Sequence, residues 1–357
     1  MTPRGRDTMR AARLHGPRVV RVERCPLPPP PGPGEAQVRV AAVGICGSDL
    51  HTYLDGRIGD TRLGGPLVLG HEFAGVVVAV GPNARDGHGH PLTPDTRVAV
   101  EPAQPCNACE PCRTGHPNLC PNHRFAGVWP TDGALQEYLN VPADTCFPVP
   151  EAIGNIEAAL LEPLGVALHA VDLGHVRVGH SVAVIGAGSI GLLCGAVALR
   201  AGASPLLMTD RLPARLDAAR RLGAHAIHAE EADPAKAILA RTGGRGVDVA
   251  FECAWSTPDA VAQAVDVLRP GGRLVVVGIS SDDTLCFRHS AVRRKGLTIA
   301  LCRRMKHTYP RAITMVASRT IDVVQLVTHR LPLDDTAAAL DLAASYRDGV
   351  IKAVVEL

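Results

Sequence analysis

The sequence predicts an α/β protein in two parts: a β-rich, barrel-like first domain and a second domain built on a doubly wound parallel sheet. Three observations carry this. The 357 residues exceed one typical domain and suit two. Short alternating apolar runs separated by Gly/Pro turns fill the first part. After about residue 163 the pattern changes to strand–helix–strand alternation, which implies parallel βαβ units.

Hydrophobic residues make up 46% of the chain, enough for two cores, and 37 Lys+Arg face 35 Asp+Glu. A net charge of +2 gives no electrostatic reason to expect nucleic acid or an anionic membrane as partner. No apolar run reaches the roughly 18–20 residues needed to span a bilayer. Residues 1 to about 8 are polar, lack an apolar signal core and read as a disordered leader. A cytoplasmic enzyme is the expectation. Of the 11 cysteines, Cys106, Cys109, Cys112 and Cys120 fall within 15 residues. In a reducing compartment such clustering points to metal more than to disulfides.

In chain order, residues 9–14 predict a first strand, and the proline-dense segment 26–33 an extended connector. Residues 36–42, 76–81 and 95–100 predict further strands, with a turn-rich loop at 86–91. Residues 181–185 predict an apolar strand, 192–201 a helix stopped by Gly202, and 205–209 a second buried strand ending in Asp210. A helix over 212–222 has Pro213 in its first turn and Gly223 past its end. A strand at 247–252, a helix at 258–268, a break at Gly271-Gly272 and a strand at 274–277 complete the pattern. The domain reading is 1–163, 164–300, and 301–357 returning to the first domain.

Gly186-Ala187-Gly188-Ser189-Ile190-Gly191 fits G-x-G-x-x-G between a strand and a helix, with Asp210 about 20 residues on at the next strand end. Glycines there let backbone approach a pyrophosphate at a helix N-terminus. Asp210 would accept the adenosine ribose hydroxyls and repel a 2′-phosphate, favouring NAD over NADP. Arg211 and Arg215 pull the other way, since either could stack on adenine or meet a phosphate. A tight turn in a nucleotide-free domain is the alternative.

The Cys106–Cys120 quartet matches a closed tetrahedral Zn(Cys)₄ site that would stiffen a lobe. Pro105, Pro111 and Pro117 argue against a regular element burying these thiols. Iron–sulfur ligation uses the same donors and stays open. Cys46, His71 and Glu72 offer sulfur, nitrogen and oxygen donors, a set that suits a catalytic zinc keeping a fourth position for water. Singly, each is also compatible with core or surface. Glu162 sits in a strongly apolar run and needs a partner, either metal, metal-bound water or a buried cation. Ser48 and His51 flank Cys46 and would relay the alcohol proton to water; local turn hydrogen bonding is the alternative for both.

The run Gly44-Ile45-Cys46-Gly47-Ser48-Asp49-Leu50-His51, then Gly70-His71-Glu72, the cysteine quartet and Gly186–Gly191 together resemble the zinc-dependent medium-chain dehydrogenases over nearly the whole chain. The resemblance implies a GroES-like catalytic domain, a Rossmann NAD-binding domain and a substrate cleft between them. Asp55-Gly56-Arg57-Ile58-Gly59, Glu162-Pro163-Leu164, Phe251-Glu252-Cys253 and Val327–Leu333 are most similar to the polyol branch, the sorbitol (L-iditol) and xylitol dehydrogenases. It implies a Cys–His–Glu–water site with Glu72 the direct ligand and Glu162 at zinc or its water, and an Arg304 that contacts cofactor and substrate. Ile190, Val277, Gly278 and Ile279 join the expected cofactor residues. Departures fall at expected substrate positions: Met305 and Thr52 stand where tyrosines are usual, and Trp255 where a small residue is. The implied activity is NAD⁺-dependent oxidation of a secondary hydroxyl in a polyol or sugar-like alcohol, with one catalytic and one structural zinc per subunit in a homotetramer. The alternatives are an L-threonine- or butanediol-type dehydrogenase, or a zinc-stabilised NAD-binding protein without turnover.

Overall fold

The computed structural model describes residues 7–255, 257–281 and 284–357. The leader reading at residues 1–6 lies outside the described residues; Thr8 already opens a strand. The chain divides into two compact units, residues 1–162 with 309–357, and residues 163–308. Residues 301–308 thus group with the second unit.

The first unit is organised on one seven-stranded sheet. Its order is Cys146–Pro148, Arg97–Val100, Glu72–Val80, Glu35–Gly44, Lys352–Glu356 and Val327–Pro332, with Tyr138–Pro142 also pairing with Glu35–Gly44. Pairing is antiparallel except between the last two strands of that order. Glu35–Gly44 is central: Val38, Val40, Ala42 and Val43 are buried, as alternation and a covered face require. Thr8–Gly16 pairs with Val19–Pro26 and Leu67–Val68 in a smaller sheet. Residues 27–32 carry no regular structure, as their prolines dictate. The strands at 327–332 and 352–356 are findings of the structure; their short apolar runs give no distinct period.

The second unit holds six parallel strands, His225–His228, Leu206–Asp210, Val182–Ile185, Val247–Glu252, Leu268–Val276 and Thr298–Leu301, in that spatial order. Numbered along the chain this is 3-2-1-4-5-6, the doubly wound order. All four residues of Val182–Ile185 and all five of Leu206–Asp210 are buried, as expected of strands covered on both faces. The expected break at Gly271-Gly272 is corrected: the strand runs Leu268–Val276 through it. Val247 pairs with Leu268 but Val249 with Arg273, so the extra residues loop out of the ladder and pairing resumes. Helix 258–268 ends one residue earlier, as Pro258–Val267, and the helix after the glycine turn begins inside the motif, as Ser189–Arg200.

Candidate active site

In the first unit, the strand Glu35–Gly44 ends two residues before Cys46, which caps the helix Gly47–Asp55. Gly44 pairs with Glu72 on the neighbouring strand. A Cβ on Gly44 would stand 2.1 Å from Glu72 Oε2, so only glycine leaves room for that carboxylate. Gly70 takes φ +90° immediately before His71, a left-handed turn where a side chain would also strike Val43. These two glycines bring the strand ends together. The donor atoms of Cys46, His71 and Glu72 all lie within 4.8 Å of one another, with His71 and Glu72 buried. That spacing and mixed donor set fit a zinc with an open position.

Asp49 is the main site residue that the sequence reading passed over. Its Oδ2 accepts from the Cys46 amide (3.0 Å) and its Oδ1 from the Gly70 amide (3.1 Å), and Oδ1 lies 3.3 Å from His71 Nδ1. Burial alone would raise its pKa, but the His71 charge and these amides hold it below the usual carboxylate range. Nδ1 therefore faces Asp49 and Nε2 faces the ligand side, where Ser48 Oγ sits 3.1 Å away. Asp49 follows Cys46 at i+3, the capping spacing, which is the signal that would have found it. Phe125 was also missed; its ring centroid lies 5.3 Å from that of His71 and walls one side.

Glu72 does not stand alone. Lys352 Nζ donates to both its oxygens at 2.8 Å, and both residues are buried. Glu162 is 5% exposed in the first turn of the helix Leu161–Gly174. Burial pushes its carboxyl up to about 8, against the charges of His71 and Lys352 and with those of Glu72 and Glu101. His51 is buried in the Gly47–Asp55 helix, and Thr52 Oγ1 donates within that helix to the Ser48 carbonyl at 3.5 Å.

The cysteine quartet closes as a cage. Sγ atoms of Cys109 and Cys112 are 3.4 Å apart, Cys120 and Cys106 3.5 Å, and Cys109 and Cys120 3.7 Å. Four bonds of about 2.3 Å to a tetrahedral zinc put sulfurs about 3.8 Å apart, so the cage fits that ion. Backbone N–H groups of Ala108 and Cys109 hold the Cys106 thiol down to about 6.

In the second unit, the glycine turn follows Val182–Ile185 beside Val247–Glu252, where the strand order reverses. Such a switch point is where open α/β sheets bind nucleotides. Gly186 has φ +95°, and a Cβ on Gly191 would lie 1.9 Å from the Gly186 carbonyl oxygen, so strand end and helix meet backbone to backbone. Gly188 caps Ser189–Arg200 and Ile190 lies in its first turn. Asp210 Oδ2 accepts from the Ala187 amide (2.8 Å), and Oδ1 accepts from the Arg211 and Leu212 amides. Asp210 thus braces the glycine turn itself, a role the sequence did not disclose. Arg215 Nη1 lies 3.8 Å from Asp210 Oδ2. The Val277 and Gly278 amides both donate to the Glu252 carbonyl, and Ile279 is exposed. Ala254 packs over Gly186, and Trp255 follows with φ +63°. Arg304 also has positive φ, while Met305 is 3% exposed with its sulfur against Gly165. Met305 therefore faces the interior of its unit, where a thioether fills space beside a glycine.

Residues 32–151 match the alcohol dehydrogenase GroES-like domain, and residues 189–318 the zinc-binding dehydrogenase domain. The chain is 37% identical over 350 residues to sorbitol dehydrogenase of Bacillus subtilis, covering 98% of this chain and 97% of that protein. It is 38% identical over 329 residues to L-arabinitol 4-dehydrogenase of Hypocrea jecorina, covering 89% and 84%. A Sinorhizobium meliloti zinc-binding dehydrogenase solved with NADP superposes with a TM-score of 0.89 at 30% identity, covering 99% and 100%. The fold and these matches define a zinc- and nicotinamide-dependent oxidoreductase. The chain belongs to the zinc-dependent medium-chain dehydrogenases and groups with their polyol branch. Among the described residues, no helix is long and apolar enough to cross a membrane.

Proposed function

We propose that the chain oxidises a secondary hydroxyl of a polyol or sugar-like alcohol to a ketone, with NAD⁺ as hydride acceptor. The observation that carries this is the convergence of Cys46, His71 and Glu72 donors within 4.8 Å, the latter two buried, in a chain similar to polyol enzymes along its length. In this reading those three residues hold the catalytic zinc, with Glu162 beside it, and the four clustered cysteines hold a structural one. Zinc, when bound, would supply Lewis acidity that lowers the hydroxyl pKa of an alcohol, and NAD⁺ would supply the hydride acceptor.

The residues do the rest. Asp49 keeps the His71 ring turned so that Nε2 is presented. Ser48 Oγ, 3.1 Å from that nitrogen, is placed to accept the alcohol proton, and His51 on the same helix carries it onward. Phe125 and the buried strand ends wall the His71 side of the site, while Cys46 and Ser48 stay partly open to solvent. In the second unit, Gly186, Gly188, Ile190 and Gly191 present backbone to the pyrophosphate, with Arg215, Val277, Gly278, Ile279 and Arg304 around the cofactor. Asp210 favours NAD, because its charge opposes a 2′-phosphate. Thr52 and Trp255 are expected substrate positions at which this chain departs from the polyol pattern, as is Met305, although its side chain is buried against Gly165, and Arg304 is the expected substrate contact that matches it. A homo-oligomer, a tetramer in this reading, and a cytoplasmic location complete the proposal. Exposed Leu301 on the sheet's edge strand Thr298–Leu301 supports association.

The test is a panel of polyols, cyclitols, L-threonine and 2,3-butanediol read as NADH formation, with Cys46→Ala as control. Turnover of vicinal polyols that disappears in Cys46→Ala is expected. Bound NAD with no turnover of any alcohol, or indifference to Cys46→Ala, would overturn it.

A further inference from the structure

Lys352 lies 280 positions from Glu72 in sequence, yet it occupies the floor of the candidate metal site. Its ammonium donates to Glu72 Oε1 and Oε2, each at 2.8 Å, and to the Ile45 carbonyl at 3.0 Å. An ammonium has three N–H donors, and all three are used. Lys352 is 3% exposed and Glu72 0%. Strand register enforces the placement: Val354 pairs with Gly44, which pairs with Glu72, and the Ile45 amide donates to the Ala353 carbonyl. One side chain therefore ties the residue before Cys46 to the carboxylate beside His71.

A buried ion pair of this kind is a poor stability device, since apolar residues of equal volume usually serve as well or better. Its value lies in what it holds. We propose that Lys352 is a positioning residue for the catalytic zinc: it fixes the Glu72 carboxylate and the Cys46 strand end in one arrangement and so governs how firmly the ion is retained. The inference rests on the reading of Cys46, His71 and Glu72 as that zinc's ligands. Without Lys352, the buried Glu72 carboxylate loses the ammonium that meets both its oxygens, while its charge still acts on the buried Glu162. Outer partners of ligating groups set metal affinity on the same scale as many ligands do.

The experiment follows zinc release from the full-length holoprotein to a chromophoric chelator, and the visible spectrum after cobalt exchange at the more labile site. Lys352→Met should speed release of one zinc by about 10–100-fold and leave the second unchanged. It should also shift the cobalt spectrum, and Lys352→Arg should restore part of both. Lys352→Gln, which keeps a donor for the Ile45 carbonyl, serves if the Met variant does not fold and should release zinc as fast. In a Glu72→Gln background, Lys352→Met should add little, because its effect passes through Glu72. Wild-type release and spectra in both variants, with two zinc ions still bound, would overturn the positioning role alone. A wild-type protein holding one zinc that Cys46→Ala does not remove would sink the site reading itself, and this inference with it.

Discussion

Two carboxylates, Asp49 and Asp210, each organise a site by accepting backbone amides. Asp49 fixes the distance between the Cys46 and Gly70 backbones while facing His71, so its charge and its geometry act together. Asp49→Asn is expected to weaken zinc binding at this site by about 10–100-fold while the thiol cage keeps its ion, as read by metal content after dialysis. Asp210→Ala removes both the negative charge and the brace on the Ala187 amide. It should raise the KM for NAD⁺ and move the NAD/NADP ratio toward NADP; steady-state kinetics with both cofactors checks this, and an unchanged ratio would refute the charge argument. Cys46, His71 and Glu72 were legible in the sequence because their residue types are chemically selective and sit in glycine-marked turns. Lys352 was not, because a lysine in a short strand carries no motif and its partner is remote in sequence.

At the scale of elements, the glycine turn and the helix Ser189–Arg200 depend on atomic contact between backbones. Gly191→Ala puts a methyl 1.9 Å from the Gly186 oxygen, an overpacking worth about 1–3 kcal/mol. It should lower the melting temperature and weaken NADH binding by fluorescence titration. The strand Val247–Glu252 is anchored by Asp248, which accepts from the Ser181 amide (2.9 Å) and hydroxyl (2.8 Å), from Arg245 and from Arg269. Burial opposes the charge, but these donors hold the carboxyl far below its usual range. A depressed folded pKa gives stability that is present above the unfolded value of about 3.9 and is lost as pH falls through the folded one. Asp248→Asn should therefore cost about 1–3 kcal/mol at neutral pH. The gap to wild type should narrow below about pH 4 in urea melts. The inner strands of this sheet were readable from their apolar runs, whereas the edge strands His225–His228 and Thr298–Leu301 were not. The joining of Leu268 to Arg273–Val276 across two glycines was not readable either, since residues 269–272 leave the ladder and pairing resumes only at Arg273.

On the scale of the whole molecule, the first unit is discontinuous, residues 1–162 completed by 309–357. The change of pattern near residue 300 pointed to that return, but not to its strands, which are short and join a sheet begun 300 residues earlier. Cys112→Ser should open the thiol cage, with loss of one zinc per chain by metal analysis and a lower melting temperature, while NADH binding to the other unit persists. Retention of both zincs would argue against a structural ion there.

The two metal clusters also differ in how much chain each must gather. The thiol cage closes within 15 residues, a loop whose entropy cost is small. The other cluster draws its three donors from residues 46–72, but Lys352, which meets the Glu72 carboxylate, is placed only when the strand Lys352–Glu356 seats beside Glu35–Gly44. The cage is thus closed by local chain alone, whereas the Lys352 support of Glu72 waits for the last strand of the fold.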